Sequence, residues 1–339
     1  MIENEITKNR SLINADAMNS DGEGVVVAVL DTGCIRHPFL SNKIIDGINS
    51  TNDGKLKTDY MRDSIGHGTQ MAGIIAQIAP KAKLLILKFK SNSMLAFPIE
   101  ALEFAINWKG KNGETVRIIN ISQNWGNSPT ANKLVKEAIS KGIIVVAAAG
   151  NEGDGDPFTD EICYPAFLKE VISVGSYDQT LNKIASNSNS NNRVDLVAPS
   201  RRLVTTSLMT DDYMDTKGWT VASGTSTATA VVSGALALII SKFEKQLNRR
   251  LTVEEIEYEL LKRTRDIGYD RRLQGCGLLD LSIDADNFGL PEYVYMWHPE
   301  KKRLATVNRD YIEQYIKDGW SLDVPNYYER QQMIDKLLR

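Results

Sequence analysis

Histidine and cysteine are both scarce in this sequence, three of each in 339 residues. The cysteines, Cys34, Cys163 and Cys276, are odd in number, widely separated and without a CxxC pair. That excludes a disulfide framework and a cysteine-based zinc site. Charge excess is also missing: the formal net charge is −3. Neither nucleic acid nor an anionic membrane surface is therefore an expected partner. Residues 1–19 carry no apolar core of signal-peptide length, and the longest apolar run, 231–240, is too short to cross a membrane. What remains is an ordinary globular composition, 42% hydrophobic and 24% charged, on a chain long enough for one large domain or two modest ones. A cytoplasmic protein is expected.

The sequence turns on one stretch, Ser223-Gly224-Thr225-Ser226-Thr227-Ala228-Thr229-Ala230, and the apolar run behind it. Val231, Val232, Ala235, Leu236, Leu238, Ile239 and Ile240 make that run apolar on every side, which predicts a buried helix. Ser226 stands at its start, where unpaired backbone N–H groups favour developing negative charge. By itself it reads equally as an N-cap.

Upstream, residues 25–30 form a continuous β-branched apolar run, as expected of a strand buried on both faces of a parallel sheet. It ends at Asp31-Thr32-Gly33, and ligand crevices of such sheets lie beyond the carboxyl ends of the strands. Asp31 alone could equally be a turn former. Residues 41–65 read as polar, with a turn at Asn52-Asp53-Gly54. His67 lies between two glycines at the start of a helix carrying Met71, Ile74, Ile75 and Ile78, and alone it reads as structural. Further strands are expected at 83–88, 117–122, 142–149, 171–175 and 194–197, with helices at 97–108 and 131–141 and a last one opening at Thr252. The Ser- and Asn-rich run 186–192 reads as a surface loop, and the acidic 154–161 as solvated surface. Strands alternating with helices predict an α/β domain over 24–288, preceded by an arm, 1–23.

Asp31, His67 and Ser226 occur in the order Asp, His, Ser, each beside Gly or Thr and each at a strand end or helix start. Ala28-Val29-Leu30-Asp31-Thr32-Gly33, Gly66-His67-Gly68-Thr69 and Gly224-Thr225-Ser226-x-Ala228 resemble the three active-site signatures of subtilisin-like serine proteases. Ala148-Ala149-Gly150-Asn151-Glu152-Gly153 resembles that family's oxyanion-hole segment. The resemblance covers residues 20–285. It implies a three-layer fold with a mostly parallel central sheet flanked by helices. It also implies a serine endopeptidase acting on peptide or protein substrates through an Asp31–His67–Ser226 triad, with Asn151 as an oxyanion donor. Substrate would lie along 121–126. Ser122, Gln123, Asn124, Trp125 and Gly126 on one side, and Ala149 and Gly150 on the other, would wall the pocket, with Cys163 at its base or merely a buried thiol.

Three departures from the family pattern stand out. Ala230 replaces the usual Pro and Thr227 the usual Met, neither of them a catalytic group. Ala76-Gln77-Ile78-Ala79-Pro80 runs directly into the next strand without the usual calcium-binding insertion. No cofactor is expected for catalysis, and calcium dependence at that site is not expected. About two dozen residues precede the first strand, the length expected of an intracellular enzyme folding without a pro-domain. A protease dedicated to one leader or precursor, and an inactive protease-like scaffold, are the alternative readings. Residues 289–339 form a C-terminal extension with a strand at 291–299 and helices at 311–320 and 327–338, open to a role in oligomerisation; His298 there reads as structural.

Overall fold

A computed structural model describes residues 2–51, 56–90, 98–213, 215–284, 286, 288, 293–298, 300, 303–308 and 311–321. The expected turn at Asn52-Asp53-Gly54 and the expected helix at 327–338 lie outside the described residues. The chain divides into two units, residues 1–287 and 288–339.

The larger unit begins with α1 (Ile2–Ser11), β1 (Val26–Asp31), β2 (Ile44–Asn49), α2 (His67–Ile78), β3 (Lys83–Lys88), α3 (Ile99–Asn107) and β4 (Ile118–Ile121). It continues with α4 (Pro129–Ser140), β5 (Ile144–Ala148), β6 (Ile172–Asp178), β7 (Lys183–Ile184), β8 (Leu196–Pro199) and β9 (Leu203–Thr206). After the short hairpin β10 (Asp212–Tyr213) and β11 (Thr216–Lys217) come β12 (Trp219–Ala222), α5 (Thr225–Leu247), α6 (Val253–Leu261), β13 (Thr264–Arg265), α7 (Arg271–Gln274) and β14 (Leu278–Leu279). The main sheet runs β13-β14-β8-β6-β5-β4-β1-β3-β2, with β7 added to β6. Pairing is parallel throughout except β13–β14 and β6–β7.

The run 25–30 contains no polar residue because β1 is covered on both faces. Val26, Ala28 and Leu30 point with Ile119, Ile121, Val145 and Ala147 into one core, closed by α3 and α4. On the other side α2 and α5 pack together, α2 on β1 and α5 on β4, β5, β6 and β8. Three layers result, helix–sheet–helix. Helix α5 is 23 residues long, longer than its apolar run, and by length and composition could cross a membrane. Here it is the buried core helix of the unit, with every residue from Thr227 to Ile240 buried.

Two expectations need correction. The polar stretch 41–65 holds the strand β2, paired parallel to β3. Its residues are mostly half-buried at the sheet edge, so its hydropathy is weak. The run 186–192 is not surface: Ser188, Asn189, Ser190 and Asn191 are all at most 3% exposed. Their side chains satisfy one another's backbone and that of the neighbouring loop. Asn189 Oδ1 accepts the Glu152 N–H at 2.7 Å, and Ser190 Oγ donates to the Asp156 carbonyl at 2.9 Å. Asn191 Nδ2 donates to the Glu161 carbonyl at 3.0 Å. Asp154, Asp156 and Asp160 of that neighbouring loop are exposed.

At the N-terminus Ile13, Ala15 and Met18 are fully buried, so this segment is part of the unit's core. In the second unit β15 (Tyr293–His298) and β16 (Arg303–Asn308) form an antiparallel hairpin, followed by α8 (Ile312–Lys317). His298 is buried there, its ring edge-on to Trp320 at 5.3 Å.

Candidate active site

Asp31 closes β1, Ser122 and Gln123 follow β4, and Ala149 to Asn151 follow β5. These strands are neighbours in the order β5-β4-β1, so their carboxyl ends form one rim. His67 is the first residue of α2 and Ser226 the second of α5, so two helix N-termini meet the rim. A cleft of about 280 Å³ is lined by His67, Ser226, Asn151, Gln123, Cys163 and Lys90, among others. Ser122, Asn124 and Gly150 also line it.

Asp31 is fully buried and His67 partly exposed, the side chain at 26%. Nδ1 of His67 lies 2.8 Å from Asp31 Oδ1 and 3.0 Å from Oδ2. Asp31 also accepts the Thr32 backbone N–H at 2.8 Å. Burial of the imidazole pulls its pKa down. The Asp31 carboxylate, by charge and hydrogen bond, and Asp63 by charge push it up further than Lys90 pulls it back, and the net result lies above the ordinary 6.5.

The turn carrying His67 is built on Asp63, a residue the sequence reading passed over. This buried carboxylate accepts the Thr32 hydroxyl (2.9 Å), the Gly66 N–H (2.8 Å), and the N–H and hydroxyl of Thr69 (3.0 and 2.7 Å). The Thr32 hydroxyl in turn accepts the Gly68 N–H at 2.9 Å. Its sequence signal was an acid four residues before the histidine in a turn. Gly68 fits because a Cβ there would stand 2.1 Å from the Gly33 carbonyl oxygen.

Ser226 Oγ donates to the Ser122 carbonyl at 2.9 Å, rather than to His67. Ser122 Oγ donates back to the Ser226 carbonyl at 2.9 Å and accepts from the buried Asn120 side chain at 3.0 Å. Asn120 Oδ1 accepts the Ser233 hydroxyl one helix turn and more along α5, at 2.9 Å. The first turns of α5 are thus tied to the end of β4. Asn151 Oδ1 accepts the Thr225 N–H at 3.0 Å and its hydroxyl at 3.1 Å, capping α5 from another chain segment. With its oxygen so engaged, the Asn151 amide nitrogen is the atom left for the cleft.

The remaining residues divide. Gly150, at φ +115°, passes so close to Asn189 that a Cβ would lie 2.1 Å from its Nδ2. Ala149 is buried and its N–H pairs with the Val174 carbonyl, so it backs the cleft without lining it. The Trp125 ring turns into the core, edge-on to Phe89 at 6.2 Å. Its N–H already bonds the Tyr164 carbonyl at 3.1 Å. Gly126 is exposed; together with Asn124 and Cys163 it lines a second cavity of about 430 Å³, which Glu152 and Glu161 make acidic. Burial chiefly, with the Glu152 charge, pushes the Cys163 thiol up to about 11 against a hydrogen bond from Asn124. Among the described residues no cluster of three or more His, Cys, Asp or Glu side chains could hold a metal ion.

Residues 22–278 match the family model described as "Subtilase family". The chain is 37% identical to the "Major intracellular serine protease" of Bacillus subtilis (strain 168) over 297 residues, covering 82% of this chain and 89% of that protein. It is 40% identical over 297 residues to the "Intracellular serine protease" of Paenibacillus polymyxa, 82% and 86% covered. With "Subtilisin Savinase" of Lederbergia lenta it shares 34% identity over 274 residues, 76% and 90% covered. A helix–sheet–helix domain with this rim, matched along most of its length, makes the chain a member of the subtilase family of serine-type endopeptidases.

Proposed function

We propose that the protein hydrolyses peptide bonds through an acyl-enzyme on Ser226, with His67 as general base and acid, Asp31 as its orienting carboxylate and Asn151 as oxyanion donor. The observation that carries this reading is the His67–Asp31 pair at 2.8 and 3.0 Å facing the cleft that Ser226 also lines. Ser226 Oγ leaves the Ser122 carbonyl, turns about its Cα–Cβ bond to His67 Nε2 and gives up its proton as it attacks the substrate carbonyl carbon. The negative charge on the carbonyl oxygen meets the Asn151 amide and the Ser226 N–H, which has no acceptor within its own helix. His67 then delivers the proton to the leaving amine, the C–N bond breaks, and water, deprotonated by the same ring, cleaves the acyl ester.

Substrates are peptides or proteins bound along 122–126, and the chemistry itself needs no cofactor. The lack of an insertion at Ala76–Pro80 supports independence from calcium at that position. A cytoplasmic setting is supported by two relatives named as intracellular proteases.

Fluorophosphonate labelling of the wild type beside Ser226→Ala tests the nucleophile, read with mass spectrometry of products from a proteome-derived peptide library. Labelling that disappears in Ser226→Ala is expected. Cleavage at one narrow sequence class would identify a dedicated maturation protease, and absence of labelling in folded protein an inactive scaffold.

A further inference from the structure

Gln123 does more than border the cleft. Lys90, two residues past the end of β3, places its Nζ 2.8 Å from Gln123 Oε1. An ammonium can only donate, so the amide is fixed with its nitrogen turned the other way. That Nε2 lies 3.2 Å from Asp31 Oδ1 and 2.9 Å from His67 Nδ1. The ring nitrogen carries its proton toward Asp31, so Gln123 and His67 are two donors converging on one carboxylate oxygen. We propose that Gln123, held by Lys90, is a positioning residue of this site. It locks the Asp31 carboxylate and the edge of the His67 ring in one arrangement.

This rests on the reading of His67 and Asp31 given above, and it adds residues that the motifs do not contain. Two consequences follow from charge. The Gln123 amide draws on the same carboxylate that stabilises the imidazolium, and the Lys90 cation opposes the imidazolium directly. Asp31 and Asp63 are the groups that favour the charged ring, and Lys90 is the one that disfavours it. Removing either Lys90 or the Gln123 amide therefore lets His67 hold its proton to higher pH. Loss of the lock also lets the ring rotate away from its working orientation, which lowers turnover without touching substrate binding.

The test uses the full chain as wild type, Gln123→Leu, Lys90→Met and Lys90→Arg, with melting temperature recorded for each. A peptide 4-nitroanilide built on a sequence cleaved in the peptide library reports kcat and KM from pH 5 to 10. The three histidines make NMR titration of the His67 ring assignable, and it needs no turnover when done in a Ser226→Ala background. Expected are a fall in kcat of about three- to tenfold for Gln123→Leu with KM unchanged, the size of one lost hydrogen bond. The acidic limb of kcat and the His67 titration should both move to higher pH in Gln123→Leu and Lys90→Met, and return to wild type in Lys90→Arg. Wild-type kcat and titration in both Gln123→Leu and Lys90→Met overturn the proposal. So does a kcat loss that tracks melting temperature while the His67 titration stays put. If the wild type fails to label or turn over, the protease reading fails, while the histidine titration still decides whether Gln123 and Lys90 act on His67.

Discussion

His67 Nδ1 sits within hydrogen-bond reach of both oxygens of the buried Asp31 carboxylate. The ring therefore holds a proton above its ordinary pH range, and only the neutral ring can act as a base. The acidic limb of kcat/KM should lie above pH 6.5. The sign for stability is opposite: a group whose pKa rises on folding stabilises the fold below its unfolded pKa. That contribution is lost as pH climbs through the folded value. Activity thus rises with pH across the range where this pair's stabilisation fades. Asp31→Asn should lower kcat by about 10⁴, as the same change does in another serine protease triad, measured by steady-state kinetics at pH 8.

Asn151 has two duties that separate substitutions can tell apart. Its oxygen caps α5 and its nitrogen faces the cleft. Asn151→Ala should reduce kcat by about 10²–10³, the loss measured when subtilisin itself is deprived of its oxyanion-hole amide. It should also lower stability by about 1 kcal/mol, because the Thr225 N–H loses its acceptor. Asn151→Asp restores the acceptor, so thermal unfolding should recover while kcat does not.

Cys163 borders the cleft, yet it should resist alkylation. With its thiol pushed up to about 11, the thiolate fraction at pH 8 is about one in a thousand. Iodoacetamide at pH 8 should leave activity intact over an hour, with Cys163 modified only in denatured protein by intact-mass and peptide analysis. Rapid inactivation with label on Cys163 would contradict this.

Thr227 Oγ1 is buried in the first turn of α5 without a hydrogen-bond partner. A lone buried hydroxyl is a cost that an isosteric methyl removes. Thr227→Val should raise stability by about 1 kcal/mol in a urea titration, with unchanged m-value.

The motifs located Asp31, His67 and Ser226 because catalytic groups are held by short local signatures: a strand end, a Gly-His-Gly turn, a helix start. The strands came from continuous apolar runs, which only a doubly covered sheet requires. What stayed hidden depends on contacts between distant segments. Composition made 186–192 look like surface, since nothing in a Ser/Asn run says that Glu152, Asp156 and Glu161 will pair with it. Lys90 and Gln123 are 33 residues apart and each, alone, is an unremarkable polar side chain. The edge strand β2 hid for the same reason, its pattern diluted by half-burial.

The helix that presents Ser226 runs from the cleft through the middle of the domain, fixed at its first turns to Asn151, Ser122 and Asn120. A nucleophile mounted this way has no hinge of its own. Titration of Ser226 with a covalent probe is then also an assay of the intact core, and warming should abolish labelling and tertiary structure at one common midpoint.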